Sequence, residues 1–233
     1  MQLKPAPGSQ AMQDALGHHY VHKIVDILLH EIGQDYFRLV ARFLKDNDHR
    51  NLPAFAQKLQ ALRSIYQPRP NAEGRFVIPP YIDELISTLG ALYDQDQVRV
   101  GFQRGAIVEL LASRLVCPRC GSDECFSNHR FIDGRYMSDQ VDVAVLSIGR
   151  QKIEGYACKI KRDGIMSEDC TNLAHLARKA EELDYNAHVG FVCFDHSRAI
   201  TQKIKDRLRD IPFSIPIHAY GLDNIQELGE NPF

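Results

Sequence analysis

DQVDVAVLSIGRQKIEGYACKIK, residues 139–161, is the stretch that decides the fold. Over residues 140–148, Val141, Val143 and Val145 alternate with Asp142 and Ala144, the period of a strand with one covered face. Gly149-Arg150 supplies a short turn, and residues 152–161 return as a second strand. Asp142 then projects from one strand and Lys159 from its neighbour, where a hairpin brings them side by side. Along the second strand, alternation puts Ala157, Lys159 and Lys161 on one face, and Glu154, Tyr156, Cys158 and Ile160 on the other.

Outward from this pair the pattern is mixed. GFQRGAIVELLASRL, residues 101–115, spaces Ile107, Leu110, Leu111 and Leu115 as the packed side of an amphipathic helix, with Glu109 among them. A strand follows over 125–132. Beyond the hairpin the expected order is a helix over 168–183, an apolar strand over 188–194, a helix over 198–209, a strand over 215–220 and a helical turn near 222–228. A helix, three meandering strands and then alternating helix and strand predict an α/β fold with a mixed sheet flanked by helices.

The N-terminal part reads differently. Tyr20, Ile24, Ile27, Leu28 and Ile32 recur at helical spacing, as do Phe37, Val40, Phe43 and Leu44 after a break near Gly33. A further helix is expected over 53–66, with Pro53 in its first turn, and another over 81–93. QPRPNAEGRFVIPP, residues 67–80, reads as an irregular connection. We therefore expect an all-helical domain over 1–98 and an α/β domain over 99–233. His18 and His22 share a helix face at a spacing that suits metal, but no cysteine or suitably placed acid accompanies them, so a surface role is preferred.

Strand, turn, strand and preceding helix together resemble the restriction-endonuclease-like, or PD-(D/E)xK, nuclease superfamily over about residues 102–228. In that pattern an aspartate and a lysine on adjacent strands serve metal-assisted phosphodiester cleavage. The carboxylate holds a hard divalent cation, and the lysine steadies the attacking water or the phosphate. The resemblance assigns these roles to Asp142 and Lys159, with Glu109 as the acid many members carry on the first helix. It implies Mg²⁺ or Mn²⁺ as cofactor and DNA as partner, in a nuclease of the restriction or defence type. A helical N-terminal domain would then serve target recognition, dimerisation or a protein partner.

One position departs from the family. An acid belongs two residues before the lysine, and here that residue is Ala157. Three readings stay open. A bulge at Gly155 could turn Glu154 to the site face. The acid could come from the following helix, where Glu168 and Asp169 open the first turn and Glu181 and Glu182 lie near the end. Or the acid is lost, leaving a non-catalytic subunit that binds nucleic acid or a protein.

LVCPRCGSDECFSNH, residues 115–129, adds a CPxCG knuckle. Cys117 and Cys120 predict structural zinc, with Cys125 and His129 completing the set, as an insertion over 117–129. Composition is that of a soluble globular protein, 44% hydrophobic and 25% charged, and the net charge of −2 gives no global basic footprint. Cationic residues nonetheless cluster at Arg150, Lys152, Lys159, Lys161 and Arg162. No apolar run approaches the ~18 residues of a membrane span, which makes the cytoplasm the expected location.

Overall fold

The computed structural model describes residues 1–6, 8–47, 52–66, 68–70, 73–121, 124–209 and 216–232, the side chains of 52 and 53 excepted. A short strand, β1 (Gln2–Pro5), precedes four helices: α1 (Gln10–Leu16), α2 (His19–His30), α3 (Asp35–Asp46) and α4 (Leu52–Ile65). A two-stranded hairpin, β2 (Arg69–Pro70) and β3 (Phe76–Val77), leads to α5 (Pro80–Tyr93) and α6 (Gln97–Val116). Then follow β4 (Cys125–Asp133), β5 (Tyr136–Met137), β6 (Val141–Ser147), β7 (Lys152–Lys159), α7 (Ser167–Glu182), β8 (Asn186–Cys193), α8 (Ser197–Leu208) and β9 (Ile217–Tyr220).

Two compact units result, residues 10–107 and residues 1–9 with 108–233. The division differs from the expected one at 98/99 in two respects. It falls inside α6, whose helical pattern runs unbroken for 20 residues and so carries no local mark of a boundary. And residues 1–9 join the sheet, because β1 pairs antiparallel with β4, Gln2 opposite Ile132 and Pro5 opposite His129. A four-residue strand ending in proline has too little alternation to be read from sequence, and an edge is where such a strand is tolerated.

In the unit of residues 10–107, apolar residues three and four apart bury one side of each main helix: Val21, Ile24, Val25 and Leu28 of α2, Phe37, Val40 and Leu44 of α3, Ile82, Leu85 and Leu89 of α5. Gly33, at φ +79°, turns the chain between α2 and α3, as its place in the pattern implied. Glu31, buried, accepts hydrogen bonds from the Tyr81 hydroxyl at 2.5 Å and Arg69 at 2.7 Å. The Arg104 guanidinium donates to the carbonyls of Leu44 and Lys45, closing the C-terminal end of α3. His18 is a helix cap, its Nδ1 accepting from the Tyr20 N–H at 3.3 Å.

The other unit is built on a seven-stranded mixed sheet in the order β1-β4-β6-β7-β8-β9, with β5 on β4. β4, β6 and β7 are antiparallel neighbours, whereas β7-β8 and β8-β9 are parallel and are joined through α7 and α8. Residue 215, the expected first residue of the last strand, lies outside the described residues. One apolar layer forms where α7 and α8 cover the sheet: Leu173, Leu176 and Ala177 with Ile200 and Ile204 meet Ala144, Ile153, Val189 and Phe191. No described helix is long and apolar enough to cross a membrane.

Candidate functional site

The β6-β7 ladder runs in unbroken register from Ser147↔Lys152 to Val143↔Tyr156. Gly155 therefore marks no bulge. A Cβ there would stand 2.8 Å from Leu176 Cδ2 and 3.3 Å from Val141 Cγ1, so glycine is present because α7 lies close over the strand. Without a bulge Glu154 stays on the opposite face from Ala157. There it is buried and bidentate with Arg119, at 2.7 and 2.5 Å, and accepts the Tyr156 hydroxyl at 2.7 Å. Arg119 also donates to the Leu228 carbonyl at 2.9 Å. Glu154 is thus a structural acid remote from the expected site, a correction to its place among the candidates.

Beyond Val143 the two strands are joined by a side chain. Asp142 Oδ2 accepts from the Cys158 N–H at 2.6 Å, next to Lys159. Burial pushes the Asp142 carboxyl above its ordinary range; the Cys158 N–H and the Lys159 charge oppose that shift, and Asp169 adds to it. Lys159 Nζ donates to Asp169 Oδ1 at 2.9 Å, and Asp169 Oδ2 accepts from the Met166 N–H at 2.8 Å as part of the α7 capping box. Of the two acids opening α7, Asp169 is the one that reaches Lys159, and Glu168 is exposed. The reason is helix geometry, since one residue along a helix is a rotation of about 100°.

Glu109 arrives from α6. It is buried, and its Oε2 has no hydrogen-bond partner among the described residues. Burial raises its carboxyl first, the neighbouring Asp142 charge second, while the nearby Asn128 side chain and the charge of Lys159 pull the other way. Asn128 stands on β4 opposite Asp142, between the pairs Ser127↔Val143 and His129↔Val141, with φ +55°. Glu109, Asp142, Lys159 and Asp169 thus influence one another at one end of the β6-β7 pair.

Among the described residues, no three His, Cys, Asp or Glu side chains are gathered tightly enough to enclose a metal. Two carboxylates are a sufficient protein contribution for Mg²⁺, which keeps several waters and takes phosphate oxygens. Glu109 and Asp142 fit that role: both are forced towards protonation, and one has a buried oxygen without a donor.

The cysteine segment does not fit zinc. Cys117 and Cys125 are joined in a disulfide, Cys120 Sγ contacts the Val116 carbonyl at 3.5 Å, and His129 Nδ1 lies 2.7 Å from the Ser127 carbonyl. A thiolate pair consumed in a disulfide cannot ligate, so the expected four-ligand set is not formed. Residues 122 and 123 of this segment lie outside the described residues.

No protein-family model matches this chain, and no curated protein matches it. Asp142, Lys159 and Glu109, singled out in the sequence, come together in the structure. Asn128 was missed; its only signal was an asparagine inside a strand, where that residue is disfavoured.

Proposed function

We propose that this protein is a divalent-metal-dependent nuclease with a restriction-endonuclease-like active site, acting on DNA. The observation that carries the proposal is the convergence of Glu109, Asp142 and Lys159, with Asp169 held on the lysine, where β6 and β7 part. The sheet order supports it: a helix bearing the first acid, antiparallel strands bearing the aspartate and lysine, then parallel crossovers through α7 and α8.

Glu109 and Asp142 are the residues that would hold Mg²⁺ or Mn²⁺, which supplies Lewis acidity to a phosphodiester when bound. Asp142 is oriented by the Cys158 N–H, so its carboxylate is fixed relative to the lysine one residue on. Asp169 holds the Lys159 ammonium at 2.9 Å at the strand end. There Lys159 orients the attacking water and offsets charge on the phosphate. With no acid at Ala157, Asp169 from the following helix is the carboxylate that meets Lys159. This choice among the three readings of the gap rests on the ion pair.

Separating binding from chemistry tests the assignment. Lys159→Ala should lower the single-turnover cleavage rate about 100-fold or more and leave Mn²⁺ affinity within about twofold, as expected for a group acting in the transition state. Asp142→Ala should remove both. Equal loss of Mn²⁺ binding in the two variants would contradict this division of roles between aspartate and lysine.

A further inference from the structure

The cationic residues that cluster in the sequence are parted by the fold. Arg150 and Lys152 stand where β7 begins and Lys159 where it ends, roughly 23 Å away at the rise of a strand. Of the five, Lys159, Lys161 and Arg162 are the ones at the end that carries Asp142 and Asp169. Arg162 is held there by the chain segments that leave the parallel strands. β7, β8 and β9 all end on this side of the sheet. The Arg162 N–H donates to Asp195 Oδ2 at 2.8 Å, just beyond β8. The Leu222 N–H, just beyond β9, donates to the Asp195 carbonyl at 2.8 Å, and Asp223 accepts from the Ser197 N–H and hydroxyl, each at 2.7 Å, where α8 starts. The turn Arg162–Gly164 folds back over the lysine: a Cβ on Gly164 would lie 3.9 Å from both Cβ and Cδ of Lys159. Ile165, fully buried, anchors the end of that turn.

Asp195 and Asp223 are thus committed to bracing the backbone, whereas the Arg162 guanidinium braces nothing. Among the described residues its ion pair is with Asp163, at 3.8 Å between side chains that are 50% and 72% exposed. Such a surface pair is worth little and yields readily to a stronger anion. We infer that Arg162 is a substrate-positioning residue, the cation that takes a DNA backbone phosphate flanking the one at Lys159. The inference rests on the nuclease reading above and says where its substrate lies: across the ends of β7 and β8, not along the turn at Arg150. In open α/β sheets, ligands sit outside the C-terminal ends of the parallel strands, which is the edge that this brace forms. A guanidinium meets phosphate oxygens through a planar fork, and a fixed backbone limits where that fork can go. Contacts of this kind set the register of the duplex without reading its sequence.

Single-turnover plasmid cleavage by the full chain in Mg²⁺, followed over enzyme concentration and over salt, separates positioning from chemistry. Arg162→Ala should raise the half-saturating enzyme concentration about 10-fold, as for the loss of one charge-assisted hydrogen bond. Its maximal rate should stay within about threefold of wild type, since the reacting groups are untouched. Losing one phosphate contact should also reduce the log–log salt slope by about one, and Arg162→Lys, which keeps the charge, should restore that slope. The brace uses the Arg162 backbone N–H, which alanine retains, so both variants should melt with wild type. Arg150→Ala, at the far end of β7, is the control and should match wild type throughout. Unchanged half-saturation and salt slope in Arg162→Ala, or equal losses in Arg150→Ala, would overturn the positioning role while wild-type cleavage upholds the nuclease reading. A lower maximal rate with binding intact would overturn it as well, by moving Arg162 into the chemistry. Absence of cleavage by wild type would remove both readings.

Discussion

Glu109 is held in an unfavourable state by its surroundings, and that has a measurable consequence. In the folded chain its carboxyl is moved from the ordinary 4.5 up to about 8, by burial first and Asp142 second. A carboxyl raised on folding contributes stability that is complete below about 4.5 and is lost as pH rises through about 8, because the folded state binds the extra proton. Metal-free wild type should thus lose melting temperature between pH 5 and 8.5 relative to Glu109→Gln, which carries no charge to bury. Added Mg²⁺ should restore the wild type at high pH by binding the ionised acids and should act far less on Glu109→Gln. Identical pH profiles for the two proteins, measured by differential scanning calorimetry, would contradict a buried, proton-binding Glu109. At this scale the sequence was informative where chemistry is costly: an aspartate among valines and a glutamate on an apolar helix face announce themselves. Asp169 could be weighed only together with Glu168, because both satisfy the same first-turn preference and rotation alone separates them.

Elements explain the two positions that do not belong to the site. Glu154 is drawn to Arg119 on the far face of β7, and Gly155 is drawn to α7, so neither was placed for chemistry. Arg119→Met should therefore destabilise the protein by about 3 kcal/mol, the usual cost of stranding a buried charge. At a temperature where it stays folded, that variant should keep wild-type cleavage, whereas a large loss of activity in the folded variant would return Glu154 to the site. Gly155→Ala places a methyl group 2.8 Å from Leu176 Cδ2, a contact that Leu176 must yield to. Overpacking of this kind costs about 1–3 kcal/mol and should appear as a lower urea midpoint at unchanged slope. An unaltered midpoint would mean that α7 sits further from β7 than these distances. Strand and helix spans came close from periodicity alone, including β6, β7, α7 and β8. What periodicity could not convey was close approach: an isolated glycine in a strand signals either a bulge or a neighbour, and only the packing of α7 decides.

On the scale of the whole molecule, β1 is the element that sequence reading assigned to the wrong unit. It covers the edge of β4 next to Asn128, with Ala6 N–H on the Asn128 carbonyl. Removing residues 1–6 should leave the β4 edge unpaired and raise its amide exchange from Asn128 to Ile132, read by hydrogen-deuterium exchange. Unchanged protection there would contradict the pairing. The knuckle, by contrast, was a strong motif with a different outcome, since two sulfurs close enough to share a metal are also close enough to bond to each other. The proposed metal-dependent phosphodiesterase site lies at one end of the β6-β7 pair, with Asp169 on Lys159 and no acid at 157. Incubation of supercoiled plasmid with the full chain, with and without Mg²⁺ or Mn²⁺, measures it most directly. The expected product is nicked or linear DNA that requires the metal, disappears with chelator and is absent for Asp142→Ala. Intact plasmid at saturating metal, or equal cleavage by wild type and Asp142→Ala, would contradict the claim.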